Sequence, residues 1–412
     1  MFKANYSGYF GALFLFICAF IYAITKKYYN IDSSFNVLFL IFTTTLLAMI
    51  FYEYKANNIS ILKSNYINQK LFKSTIYRYL ALSLPYIVIF IIVSLLNYYT
   101  NNSLKLAQIF FSYILFGYLL FGIPYIYFTL KYNSNSKYEF NDYGILLLIA
   151  LKSIYKKIFS KNYQYNFFAN HRVIKVVLAF AVNFFFVKLM VLFFSNEFNG
   201  FYKAFDNLTT ESFYNKDWYI IYKNYFLFFF HLIFIIDVGI ATIGYTVANR
   251  WLNNRTKSVD FTFLGWGVAL ICYPPFNSFA SQFIGYHSYD TYQIFTNHYA
   301  LAIILALVLA LYTIYVWSTV TLGFKFSNLT NRGIVTNGPF KYVRHPAYSA
   351  KNIAWWVDNT FVLTNIWATL SLLAWNIIYI LRGTTEEKHL QKDKKYKEYQ
   401  EKVKYRFIPK VI

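Results

Sequence analysis

Cysteine is almost missing from this 412-residue chain. Cys18 and Cys272 both fall inside apolar runs, so they form neither a disulfide framework nor a metal-ligand spacing, and no metal is expected. Charge is scarce too: Asp, Glu, Lys and Arg together make 14% of the residues, against about 25% in soluble globular proteins. Acidic residues are the scarcer kind, 17 against 39 Lys and Arg, which leaves a formal net charge of +22. In a soluble protein that excess would point to nucleic acid, a partner that its distribution between loops argues against. No internal repeat is visible. The first apolar run lacks a small-residue cleavage site and reads as a retained span rather than a signal peptide.

Apolar residues make 58% of the chain and aromatic residues 23%. Runs of about 16–25 apolar residues, enough to cross a bilayer, fall at roughly 8–25, 36–52, 79–99, 106–130, 173–195, 218–247, 261–276 and 299–322. Residues 353–382 are apolar with a polar break near Asp358-Asn359 and Thr364-Asn365, a length that suits a helical hairpin. The expected fold is therefore all-α, a polytopic integral membrane protein of about ten transmembrane helices. Lys and Arg in alternate loops number five, seven, three, five and ten, while the intervening loops hold two, one, two, none and none. That alternation places both termini on the cytoplasmic side. The wealth of Lys, Asn, Ile, Tyr and Phe fits an AT-rich bacterial genome, and so a bacterial inner membrane.

Polar groups inside the runs are costly and often functional. Lys188 and Asn183 lie in the fifth run, His231 and Asp237 in the sixth. Six residues correspond to about 600° of helix rotation, so His231 and Asp237 do not share a face. Asp237 can pair with Lys188 as a structural ion pair, or mark a substrate or proton path. Pro274-Pro275 should end or kink the seventh run, because proline lacks a donor and clashes with the preceding turn. Residues 142–161 mix apolar residues with Lys152, Lys156 and Lys157, the pattern of an interfacial amphipathic helix.

Chemistry concentrates after residue 336, in "TNGPFKYVRHPAYSAKN". Gly338-Pro339 makes a turn, and Pro346 keeps His345 out of the middle of a regular helix. Arg344 and His345 are thus held on a constrained backbone at the membrane edge beside Tyr342 and Tyr348, a cluster able to bind an anion or a carboxylate-bearing cofactor. Juxtamembrane anchoring would explain Lys341, Arg344 and Lys351 but not the His-Pro pair. Downstream, the hairpin brings Glu386-Glu387 back to the same edge, and Tyr396, Tyr399 and Val403 recur at helical spacing before Arg406-Phe407-Ile408-Pro409.

The run Gly338-Pro339-Phe340-Lys341-Tyr342-Val343-Arg344-His345-Pro346-Ala347-Tyr348, then Glu386-Glu387-Lys388-His389-Leu390, then Arg406-Phe407-Ile408-Pro409, resembles the isoprenylcysteine carboxyl methyltransferases and the related membrane phospholipid methyltransferases. The resemblance covers roughly 299–412. It implies a C-terminal methyltransferase-like helical module (251–412) behind an N-terminal transmembrane region of unknown role (1–250). It implies S-adenosyl-L-methionine as cofactor, bound by Gly338, Lys341, Tyr342, His345, Pro346, Tyr348, Glu386 and Glu387, with the carboxylates meeting the methionine ammonium. Arg344 and Arg406 would orient an anionic group on a lipid or lipid-linked acceptor. Ala350, Lys351 and Asn352 depart from the family pattern, as does Lys395 before the first tail tyrosine. Two rival readings are an NADPH-dependent reductase of the membrane sterol reductase type, which also carries an Arg-His-Pro motif, and a non-catalytic transporter or scaffold.

Overall fold

The computed structural model describes residues 6–29, 35–56, 59, 68–95, 102–132, 143–159, 171–214, 217–249, 251–285 and 297–411. Nearly all of them are helical. The helices run α1 Ser7–Tyr29, α2 Phe35–Lys55, α3 Asn68–Leu95, α4 Asn102–Lys131, α5 Tyr143–Phe159, α6 His171–Tyr214, α7 Trp218–Thr246, α8 Phe263–Leu270, α9 Phe276–Ile284, α10 His298–Leu322, α11 Pro346–Asp358, α12 Ile366–Leu390 and α13 Lys394–Lys402. Seven of them (α1, α2, α4, α6, α7, α10 and α12) are long and apolar enough to cross a bilayer. This is an integral membrane protein, built in the one open-chain geometry that satisfies its backbone groups within each segment when no water is present.

The chain forms two compact units. One comprises residues 53–192 and 248–259, with α3, α4, α5 and the first half of α6. There Ala81 of α3 meets Leu146 and Leu147 of α5 and Val176 of α6, while Leu71 packs on Ile126 and Leu130 of α4. Helix α5 is 17 residues long, buries Leu146, Leu147 and Ala150, and exposes Lys152 and Lys156. That is the amphipathic division expected for 142–161; residues 142, 160 and 161 lie outside the described residues.

The other unit holds residues 1–52, 193–247 and 260–412. Its centre is α10, flanked by α7, α11 and α1. Val308 and Tyr312 of α10 bury with Ala354 of α11 against Phe230 and Phe234 of α7. Tyr312 meets Phe234 at 5.2 Å with the rings at 65°, near the edge-to-face arrangement aromatic pairs prefer. Polar staples fix the upper helices. Lys27 of α1 pairs with Asp206 of α6 at 3.1 Å, and His231 of α7 meets Glu197 of α6 at 2.8 Å.

Several expectations change here. The seventh run, 261–276, is not a span. It is two short helices, α8 and α9, of 8 and 9 residues. At about 1.5 Å per residue neither approaches the ~30 Å hydrocarbon thickness. Thr262 starts the first by accepting the Gly265 N–H at 3.1 Å, and Pro274-Pro275 withholds the donors that would join it to the second. The hairpin expected at 353–382 exists, but its first arm, α11, has 13 residues and begins earlier, at Pro346. Proline suits the first helical position because its fixed φ is already helical and its missing N–H would be unpaired there. A 3-10 turn over Thr360–Thr364 reverses the chain, and Asn365 caps α12 by accepting the N–H groups of Trp367 and Ala368. Asp237 lies beside the Thr319 and Tyr315 side chains of α10, and Lys351 is a cation that acts on it. Residues 96–99 of the third expected span fall outside the described residues.

Candidate active site

The site is assembled by four consecutive pieces: the turn after α10, the start of α11, the end of α12, and the segment after α13. Helix α10 ends at Gly323, and the chain returns through Gly338–Lys341, a 3-10 turn. Gly338 takes φ +58°, and a Cβ there would stand 2.5 Å from the Thr321 hydroxyl. Only glycine meets both conditions, so this residue docks the turn on the end of α10. Arg332 anchors the preceding loop. Its guanidinium is buried and donates to the carbonyls of Gly244 and Val247 at the C-terminal end of α7, a favourable place for a cation.

His345 caps α11, held by Pro346 outside the helical region at φ −126°, ψ 59°. The segment after α13 then pairs with it as a short strand would. The Arg344 N–H donates to the Tyr405 carbonyl at 3.0 Å and the His345 N–H to the Arg406 carbonyl at 2.9 Å. Ser349 adds a 2.7 Å hydrogen bond to the Phe407 carbonyl. Gly383 of α12 permits the close approach of Phe407, whose ring a Cβ would meet at 2.7 Å.

Two adjacent carboxylates occupy different environments. Glu387 is 1% exposed. Its Oε1 accepts from Arg344 Nε at 2.7 Å and from His345 Nε2 at 3.2 Å. Its Oε2 accepts from Arg406 Nε at 3.0 Å and from Gln400 Nε2 at 3.4 Å. A carboxylate only accepts, so the Nε2 of His345 carries a proton. Arg344 also donates to the Val403 and Lys404 carbonyls, at 2.8 and 2.7 Å. Glu386, by contrast, has a side chain 36% exposed and lines a cavity. Its Oε2 accepts from the Tyr348 hydroxyl at 2.8 Å and stands 3.9 Å from His345 Nδ1. The rings of His345 and Tyr348 stack at 5.3 Å, only 5° from parallel.

That cavity has a volume of about 140 Å³ and is walled by His345, Tyr348, Glu386, Arg382, Asn328 and Tyr315 among others. Arg382 donates to the Asn328 side-chain carbonyl at 2.6 Å and lies with its guanidinium carbon 5.0 Å from the Tyr348 ring centre. Burial, opposed by Arg382 and reinforced by Glu386, pushes the Tyr348 phenol well above its ordinary pKa, so it remains a donor. Burial also raises the phenols of Tyr396 and Tyr399. The Tyr399 hydroxyl donates to the Phe340 carbonyl at 2.7 Å, and both rings pack with Val403 against Ile334, Phe340 and Leu390.

Of the ten residues singled out in the sequence, the structure brings Arg344, His345, Pro346, Tyr348, Glu386, Glu387 and Arg406 together. Gly338 stands behind them as a turn. Lys341 and Tyr342 are exposed, Tyr342 at 64%, and do not line the cavity. Arg344 and Arg406 both direct their guanidinium groups at Glu387. Sequence reasoning passed over Arg382, although it precedes Glu386 by four residues and so shares its helix face. It also passed over Asn328, Tyr273 and Tyr315, which carry no motif.

Residues 302–392 match the isoprenylcysteine carboxyl methyltransferase family. The match contains Arg344 through Tyr348 and Glu386-Glu387. No curated protein and no solved structure matches the chain.

Proposed function

We propose that the chain is an S-adenosyl-L-methionine-dependent integral membrane methyltransferase acting on a lipid or lipid-linked acceptor. The observation that carries this reading is the convergence, inside the family-matched segment, of His345, Tyr348, Glu386 and Arg382 on one cavity. Residues 251–412 form the methyltransferase part, with α1 and α7 packed on α10 as its support. Residues 1–250 otherwise contribute a transmembrane region of undefined role. We place the site on the cytoplasmic face of a bacterial inner membrane, beside the ten Lys and Arg of residues 382–412.

The residues present fit the cofactor. Its amino-acid end is a zwitterion, and the cavity offers the Glu386 carboxylate and the Arg382 guanidinium a single helix turn apart. Glu386 takes the ammonium through charge-assisted hydrogen bonds, and Arg382 with Asn328 takes the carboxylate. Tyr348 holds Glu386 in place, and the flat His345–Tyr348 stack walls the side where a ring system would lie. When bound, the cofactor would supply an electrophilic methyl group, to whose carbon an acceptor lone pair would bond as the carbon–sulfur bond breaks and a neutral thioether leaves. An acceptor that is already a carboxylate or phosphate needs no base, only alignment and exclusion of water. An amine acceptor would have to lose a proton first, and His345 Nδ1 or Glu386 is placed to take it. Glu387 does not reach the cavity in this scheme. With Arg344, Arg406 and Gln400 it holds the segment after α13, and it fixes the His345 ring through Nε2.

Titration of the purified protein with labelled S-adenosyl-L-methionine and, separately, NADPH tests the reading. Micromolar binding of the former is expected. Binding of NADPH alone would make the protein a reductase, and binding of neither would leave a transporter or scaffold.

A further inference from the structure

A second cavity, of about 540 Å³, adjoins the first within the same compact unit. Lys351 and Tyr379 line both. Beyond them this second cavity is walled by Asn277 and Ser281 from α9, Trp355, Asp358 and Asn359 at the end of α11, and Trp375 from α12. Residues 351, 355 and 358 recur at i, i+4 and i+7, so one face of α11 presents Lys351, Trp355 and Asp358 in a row. Lys351 and Asp358 are thereby about 10 Å apart along the helix axis. The opposite wall is fixed by Trp375, whose indole N–H donates to the Ile284 carbonyl at 3.1 Å and ties α12 to α9.

Lys351 sits among aromatic rings from three helices. Its ammonium lies 5.8 Å from the centre of Tyr315, 5.3 Å from Trp355 and 5.6 Å from Tyr379. Such a cage favours the cation by its ring quadrupoles but supplies no counter-charge. Among the described residues no carboxylate stands within 4 Å of it; Asp237 acts on it only at longer range, and Asp358 lies two turns away. The cation is also one helix turn from Tyr348, which carries the Glu386 contact of the first cavity. A fixed cation with no carboxylate in contact with it, on the wall between a methyl-donor pocket and a polar chamber, is the arrangement that would hold an acceptor anion at the reaction point.

Resting on the methyltransferase reading, we propose that the larger cavity is the acceptor chamber and that Lys351 is its anion anchor. It takes a carboxylate or phosphate carried on a compact, hydroxyl-bearing head group. The anion lies against Lys351, and the hydroxyls are received by Asp358, Asn359, Asn277 and Ser281.

Indole fluorescence reads the chamber directly, since Trp355 and Trp375 line it. The full-length protein in detergent is titrated with dihexanoylphosphatidylglycerol, with glycerol 3-phosphate, and with dihexanoylphosphatidylcholine, alongside labelled S-adenosyl-L-methionine. The anionic, hydroxylated probes should bind and the choline lipid should not. Saturation by glycerol 3-phosphate identifies a soluble source for the head group, and saturation by the lipid alone a membrane source. Lys351→Met should weaken the anionic probe about tenfold or more, the worth of one hydrogen bond to a charge. Lys351→Arg should bind it within about threefold of the parent. Ser281→Trp fills the chamber without touching Lys351 and should abolish probe binding on its own. Equal affinity for the choline lipid, or unchanged probe binding in both Lys351→Met and Ser281→Trp, overturns the proposal. If the parent binds the anionic probe but not S-adenosyl-L-methionine, the chamber stands and the methyltransferase reading falls.

Discussion

Neutralising Glu387 should undock the segment after α13, whereas neutralising its neighbour Glu386 should not. Glu387→Gln keeps the shape of the side chain but removes the charge that balances Arg344, whose side chain is only 9% exposed. It also turns an amide NH2 towards donors on Arg344, His345 or Arg406. Breaking a buried pair from one side costs about 3–5 kcal/mol. Two corrections lower the figure here. Arg344 keeps the Val403 and Lys404 carbonyls as partners, and Arg406, 32% exposed, falls back on water at a cost of at most about 1 kcal/mol. A loss of about 3 kcal/mol therefore remains, or roughly a hundredfold in the docking equilibrium. The readout is hydrogen exchange at the Arg344 and His345 amides, which are bonded to Tyr405 and Arg406. Their protection should fall by about two orders of magnitude, while amides in the middle of α10 stay as they are. Glu386→Gln, in a more exposed position, should leave that protection unchanged and abolish binding of S-adenosyl-L-methionine. Equal behaviour of the two variants in both assays would refute the division of labour.

Gly338→Ala should lower the thermal midpoint, since it combines a left-handed backbone with a 2.5 Å contact to Thr321; about 1–3 kcal/mol is expected, and a Gly338→Ala/Thr321→Ala pair should recover part of it by relieving the contact alone. Tyr399→Phe strips the Phe340 carbonyl of its donor and should cost about 1–2 kcal/mol in chemical denaturation. Arg406→Met should destabilise by no more than about 1 kcal/mol, and a loss as large as that of Arg344→Met would contradict the exposure of its guanidinium. Arg382→Met should weaken binding of S-adenosyl-L-methionine at least tenfold while leaving protection at Arg344 and His345 intact.

Most of the architecture was legible because membrane crossing is a matter of length and polarity. The runs at 8–25, 36–52, 106–130, 218–247 and 299–322 became α1, α2, α4, α7 and α10 with small changes at their ends. The failure at 261–276 has the opposite cause. Hydropathy sums side chains and is blind to the backbone donors that Pro274 and Pro275 withhold. In the candidate site, the motif marked residues that the fold brings together but could not separate Glu386 from Glu387. Successive residues on a helix differ by about 100°, so one faces the cavity and the other faces the returning segment. Which is which depends on where Tyr405–Phe407 lies, and that is a tertiary contact. Lys351 is a similar case. As one more basic residue near a membrane edge it reads as an anchor, and only the rings of Tyr315 and Tyr379, contributed by other helices, show that it is enclosed.

The pairing of residues 403–407 with the head of α11 also sets an order of events during synthesis. The ribosome makes the motif at 338–348 first, then both arms of the hairpin, and only afterwards the strand that supplies the Tyr405 and Arg406 carbonyls. Until that segment leaves the exit tunnel, Arg344 lacks the Val403 and Lys404 carbonyls, Glu387 lacks Arg406, and the His345 N–H lacks its acceptor. A nascent chain still engaged with the insertion machinery thus carries α10, α11 and α12 but no finished site. Competence arrives in one step, after the membrane-embedded helices are complete.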